Sequence, residues 1–571
     1  MEPVSPVRVT HEIRDAQPEN SPWPHVYKPS GAEGQFNLPP VVPPKPRPIM
    51  LEADLDQIKD GTREAILALI TLSHRPPWPM IDVADFPSTR VLSLCVNSYF
   101  RHFHGTFPIL HQSAFRAAAP ADVSPLLLLS VAAIGAMYSR ENLADLAVPL
   151  NQLARRIIRY LREKDEHAMF DVTVVQAWLL QCIFGLFCGS RMLYLDAELN
   201  RGGLVTAARR MHLLRPSLSY VDEYRKRNPT TTPEELARAT VADEERRRLG
   251  WGIYLYDAQL SSLLNIASHF SLGEIDMFLP NDDNWSSAAP DSSSQLTPAQ
   301  QPVNFRQALN ALLSRGKLMQ HLSSFSFSLI AHTLFRLCVD ACAFDSILSP
   351  TWTPSDSPYR PVFPPHIQHN PQELLEQLSA ECQTISLMPN ALIVSVSALA
   401  HVGRIQFTWP RFLDNVKVAA GKSGTETSKS QARTWLSGHM AEDPVRTRSI
   451  IVHAGRLNAL LLRFRFDSLS EMIWTFDLAL TFWAMLRFGS SVVKTSVQSP
   501  RTIITWSESD ELERYIHHGG SMLFQGLGDL VELDAAKVLA VFEERLEAMP
   551  WGIAQRFRHV LMNLDGEEDE T

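Results

Sequence analysis

Cysteine is scarce in this sequence: six residues in 571, at Cys95, Cys182, Cys188, Cys338, Cys342 and Cys382, with no Cys-x-x-Cys among them. A tetrahedral zinc site needs thiolates or imidazoles in closely spaced pairs, because four ligands must converge on one ion. Cys338 and Cys342 share a helix face, but no second pair accompanies them. His102, His104 and His111 cluster around Phe103 and Phe107 without a carboxylate or thiolate at ligand spacing, and read as packed histidines at a helix end. No metal ligand is therefore assigned. Spread-out cysteines in apolar segments are those of a reducing compartment, not of a disulfide framework.

Excess positive charge is also lacking. With 53 Lys and Arg against 62 Asp and Glu, the formal charge is −9, the opposite of a surface built to neutralise phosphates. Neither phosphate-loop pattern occurs, and no Gly-x-Ser-x-Gly elbow is present. His517-His518-Gly519-Gly520-Ser521 reads as a helix break before the apolar run at Met522. Met1 to Pro6 show no basic stretch leading into an apolar one, so no secretory leader is expected. The longest apolar stretch, Ala177 to Gly189, is interrupted by Gln181 and short of the ~20 residues that span a bilayer, so no membrane role is expected.

Proline is plentiful, and twelve of its 39 residues fall in the first fifty. Proline fixes φ and removes amide donors, so 1–50 reads as a disordered arm. Beyond it the apolar spacing is helical throughout, with no internal repeat and no alternating strands, and the expected class is all-α. A body over 86–345 is followed by a C-terminal helical region over 371–564 and an acidic tail at 565–571. Helices are expected at 143–164, 172–188, 199–214, 243–264, 305–346, 371–401, 446–465, 468–489 and 508–564. Polar stretches near 280–302, 349–371 and 419–443 read as inserted loops. Arg155, Arg159 and Arg162 form a solvated, partly paired helix face.

The segment 243–264 carries the most information. Leu249, Ile253, Tyr256, Leu260 and Leu263 make a helical stripe behind the run Asp243-Glu244-Glu245-Arg246-Arg247-Arg248. Trp251, Tyr254 and Asp257, three apart, share another face. That face is either a core surface with one satisfied Asp–Arg pair or part of an effector pocket. With Arg247 and Arg248 it is the candidate regulatory face.

Three blocks in order give a resemblance. They are Phe100 to His111 with Phe107-Pro108-Ile109-Leu110-His111, then Leu199 to Leu214 with Gly202-Gly203, then Glu244 to Asp257 with Trp251 and Asp257. Together they resemble the fungal-specific transcription factor domain over about 100–285, with Phe103, Phe107, Pro108, His111 and Gly203 as motif residues. The resemblance implies a nuclear regulator of RNA polymerase II transcription, not an enzyme. Its partners would be the transcription machinery or a DNA-binding protein. The DNA and zinc binding usual in the family belong to a separate module, which these residues do not supply. A homodimer is compatible with it, although no heptad seam is visible. The alternatives are an all-α enzyme of magnesium-dependent isoprenoid chemistry, on the incomplete acidic cluster Asn281-Asp282-Asp283-Asn284, and a non-catalytic scaffold.

Overall fold

The computed structural model describes residues 58–75, 86–117, 124–139, 143–215, 226–228, 232–280, 285, 303–318, 322–348, 367–385, 389–409, 411–421, 425–494, 502–505 and 510–566. The proline-rich arm, Asn281 to Asn284 and the acidic end from Glu567 lie outside them. The class is all-α.

In the first half the helices are α1 (Asp60–Leu72), α2 (Thr89–Ser98), α3 (Gln112–Ala117), α4 (Pro125–Met137), α5 (Ala144–Lys164), α6 (Val172–Phe187), α7 (Arg191–Arg210) and α8 (Pro233–Leu264). A π-turn and a 3-10 turn join α2 to the segment before α3. Next come α9 (Phe305–Arg315), α10 (Ser324–Leu348), α11 (Pro371–Ile385), α12 (Ala391–Phe407), α13 (Phe412–Ala419) and α14 (Glu426–Glu442). The last are α15 (Pro444–Arg463), α16 (Leu469–Phe488), α17 (Ser490–Val493), α18 (Asp510–His518), α19 (Ala535–Glu547) and α20 (Gly552–Gly566).

Local chemistry sets the starts. Ser124 accepts from Leu127 N with Pro125 in the first turn of α4, and Asp171 accepts from Thr173 N and Val174 N to open α6. Packing then takes over. Helix α4 is buried along nearly its whole length against α2, α5 and α6, and α6 lies on α7. Further on, α8 packs on α10, α10 on α11 and α12, α12 on α15, and α16 on α19. One continuous apolar core runs from Ile66 to Leu564. The packing of α10 on α11 and α12 crosses the expected boundary between 345 and 371.

Four expectations are corrected. The stretch 419–443 is not all loop, because Thr425 caps α14 and Ala432, Leu436 and Met440, four apart, bury one stripe of it. A small sheet exists: β1 (Thr502–Ile504) pairs in parallel with β2 (Met522–Phe524), which pairs antiparallel with β3 (Gly528–Asp529). The expected breaks also multiply, so 305–346, 371–401 and 508–564 each divide. At His518 the helix does end, with Gly519 at φ 74° and a strand following.

The fourth correction concerns apolar length. Ser324–Phe344 and Leu469–Phe488 are each long and apolar enough, by length and composition, to cross a membrane. Within this fold 94% of the second window is buried in protein. Its apolar surface is consumed by packing.

Candidate functional site

Helix α8 is built in two halves. Thr232 and Glu235 form a reciprocal capping box, with Pro233 in the first turn. The first half is exposed or half-buried, whereas from Arg248 to Leu263 nearly every residue is buried. Asn265, in the left-handed conformation at φ 56°, ends the helix. The acidic–arginine run stands where the helix enters the core.

At that entrance each charge has a job within the chain. Glu244 accepts from Arg247 and, at 2.9 Å, from Arg248 Nε, while Arg247 also reaches Asp243 at 3.2 Å. Arg248 is 2% exposed. It donates to the Pro108 carbonyl at 3.3 Å and lies over the Trp285 ring at 4.5 Å. Arg246 donates to the Met211 carbonyl. Glu245 accepts from the His111 amide at 3.1 Å; burial pushes its carboxyl pKa up, and that amide opposes the shift. The His111 ring accepts from Ala114 N at 3.0 Å and meets Trp285 edge-on. Burial, then the neighbouring Arg248 charge, lowers the His111 pKa.

Deeper along the helix the pattern repeats with other segments. Trp251 Nε1 donates to the Phe278 carbonyl at 2.8 Å, and its ring packs against Tyr254 and Phe305. Thr333 Oγ1 donates to Leu329 O, so the Tyr254 hydroxyl is the donor in its 2.6 Å bond to Thr333. Burial pushes the Tyr254 phenol up to about 12. Asp257 is fully buried and completely satisfied. It accepts from Arg201 Nε at 2.8 Å, from His269 N at 3.0 Å and from Phe270 N at 3.0 Å. Arg201 spends another donor on Ala267 O at 2.8 Å, and Arg336 holds Phe270 O.

The five residues of the candidate regulatory face thus share one helix. Arg247 pairs within α8, whereas Arg248, Trp251, Tyr254 and Asp257 form a row of ties that each reach a different segment. Phe103 and Phe107 are buried, with ring centroids 6.2 Å apart, and Phe103 also meets Trp551. Pro108 contributes its carbonyl and His111 its amide. Gly203 stands apart from this row: a Cβ there would lie 2.6 Å from the Trp178 ring, so glycine permits that contact, while Gly202 faces open space. The Asp–Arg pair is the one expected, but its partner Arg201, together with Trp285, Thr333 and the 269–270 amides, was not assigned from sequence. Arg201 is two residues before Gly203 in the second motif block, and that was the available signal. Arg155 and Arg159 both reach Asp196, so the α5 arginine face is partly paired as expected. Among the described residues no group of three or more His, Cys, Asp or Glu is placed to hold a metal.

The family model for the fungal specific transcription factor domain matches residues 96–378, about half of the chain. Over these residues the chain belongs to that family. No curated protein and no solved structure matches it. The matched transcription factor domain contains the whole of α8 and every segment tied to it, and its last residues lie in α11. The family is one of transcription factors, not of enzymes.

Proposed function

We propose that this chain regulates RNA polymerase II transcription in the nucleus through its helical body. The transcription factor domain over 96–378 supports the regulatory role. The observation that carries the mechanism is the row of ties along α8: Arg248 to Pro108, Trp251 to Phe278, Tyr254 to Thr333 and Asp257 to Arg201. Because each tie ends on a separate segment, a small displacement of α8 is felt by all of them at once. Packed interfaces shift between discrete arrangements rather than deforming smoothly.

The accessible approach to this row is its rim of Asp243, Glu244 and Arg247, where an effector or a partner surface meets the helix. DNA contact is supplied by a partner protein or a separate zinc module, and the output is read by the transcription machinery. A second copy of the chain is a further candidate partner.

The test is a tethering assay. Fused to a heterologous DNA-binding domain upstream of a reporter, the chain is expected to change expression several-fold in one direction. Asp257→Asn, which keeps shape but removes the charge, is expected to reduce that change while fusion abundance is held equal. A fusion that leaves the reporter at the level of the DNA-binding domain alone overturns the reading.

A further inference from the structure

We propose that the junction between the transcription factor domain and the C-terminal helices is a proton-operated latch, closed when Glu471 is protonated and loosened when it is ionised. This inference rests on the junction itself and not on the transcriptional reading.

Besides the packing of α10 on α12, the C-terminal region meets the domain at a knuckle, Trp551-Gly552. Trp551 is fully buried, and its ring meets Phe103, Tyr138, Phe184 and Phe187. Beside it the backbones touch: a Cβ on Gly552 would lie 2.1 Å from the Cys188 carbonyl oxygen. Trp551 Nε1 donates to the Tyr138 hydroxyl at 3.0 Å, and that hydroxyl donates to the Asp467 carbonyl at 3.2 Å. A chain of hydrogen bonds therefore runs from the α20 entrance, through the end of α4, to the turn between α15 and α16.

That turn is strained and depends on one carboxyl group. Asp467 stands at φ 53°, a left-handed conformation uncommon outside glycine. Its amide and that of Phe466 both donate to Glu471, at 3.0 and 3.1 Å. Glu471 is 4% exposed, and among the described residues no cationic side chain is hydrogen-bonded to it. The charged and titratable groups around it are few. From the turn come Asp467 and Arg465, which bind each other at 2.9 Å. From α4 comes Tyr138, and stacked on Tyr138 is His102 of the π-turn. Ser468 donates no charge but caps α16 through Glu471 N. Burial first, and then the Asp467 charge, raise Glu471 to about 7 against the loop amides, which oppose the shift.

The sign follows from linkage. The folded value stands above the ordinary 4.5 of a glutamate, so the folded state holds a proton that the unfolded chain releases. Stability from the neutral form is fully present below pH 4.5 and is lost as pH rises through about 7. A protonated carboxyl keeps an acceptor oxygen for the loop amides and sheds the charge that burial and Asp467 resist. The latch is closed on the acid side.

Two measurements on the full chain decide it. Thermal unfolding is followed from about pH 5.5 to about 8.5 for the wild type and Glu471→Gln, a permanently neutral side chain of equal size. The wild type is expected to lose melting temperature relative to the variant as pH rises, with the curves converging at the acid end. Parallel curves across the range overturn the proposal. Independently of that variant, hydrogen exchange at the Phe466 and Asp467 amides is read against pH, corrected for its intrinsic rise. Wild-type protection is expected to fall across neutrality. In Asp467→Asn, which tolerates the left-handed backbone, the fall is expected at lower pH, because without the Asp467 charge Glu471 ionises more easily. An unmoved midpoint overturns the latch.

Discussion

Two helices run through the interior of this molecule, and they are held in different ways. The buried half of α8 presents Arg248, Trp251, Tyr254 and Asp257, each bonded to a different segment of the transcription factor domain. Helix α16 is buried along almost its whole length by Leu, Met, Ile, Phe and Trp side chains, and Phe476 stacks on Phe557 at 4.2 Å. Apolar contact rewards area and tolerates exchange of shape. A buried hydrogen bond has one acceptable geometry, and leaving it unmade is costly. The domain around α8 is therefore specified by direction, and the C-terminal region around α16 by volume.

The largest effect expected from this contrast is at Asp257. Asp257→Ala strands the Arg201 guanidinium in a fully buried position, and breaking a buried pair from one side costs ~3–5 kcal/mol. Denaturant unfolding of the pair of variants sharpens the point: Arg201→Met with Asp257→Leu is expected to recover much of that loss, because no charge is then left unpaired. If Asp257→Ala costs no more than an ordinary surface change, the directional account of α8 fails.

A smaller effect is expected in α16. Leu478 is 1% exposed, and Leu478→Met keeps its volume, so a cost below ~1.5 kcal/mol is expected, whereas Leu478→Ala leaves a cavity worth ~2–5 kcal/mol. Near-equal losses for the two substitutions would show that α16, too, is held by shape in detail, and the contrast with α8 would disappear.

The same contrast explains what was legible in the sequence. The class, most helix positions and the three-residue spacing of Trp251, Tyr254 and Asp257 follow from periodicity, which is a local property. The tie partners are not local: Arg201 is 56 residues from Asp257, and Thr333 is 79 from Tyr254. Helix α14 was missed because only Ala432, Leu436 and Met440 are buried in an otherwise polar stretch. Strands of two or three residues are too short for alternation to show. Glu471 looks like an ordinary capping glutamate, and the turn that it holds is tied to Tyr138, 329 residues from Asp467 along the chain, and through Tyr138 to Trp551.

The smallest expected effects separate the helices at their starts. Ser468 caps α16 by accepting from Glu471 N, and Thr232 caps α8 by accepting from Glu235 N. Loss of such a cap typically costs ~1 kcal/mol of the helix it serves. Whether that cost reaches the whole fold depends on what the first turn is packed against. In α16 the first turn is already buried, with Leu469, Ser470 and Met472 in the core, so Ser468→Ala is expected to lower global stability in a denaturant titration. In α8 the first three turns are largely exposed, so they can fray while the tied half stays in place. Thr232→Ala is therefore expected to speed amide exchange over residues 234–240 and to leave the unfolding midpoint where it was. A matching fall in midpoint for both variants would mean that the exposed start of α8 is coupled to its buried half, and that the ties at Arg248 transmit in both directions.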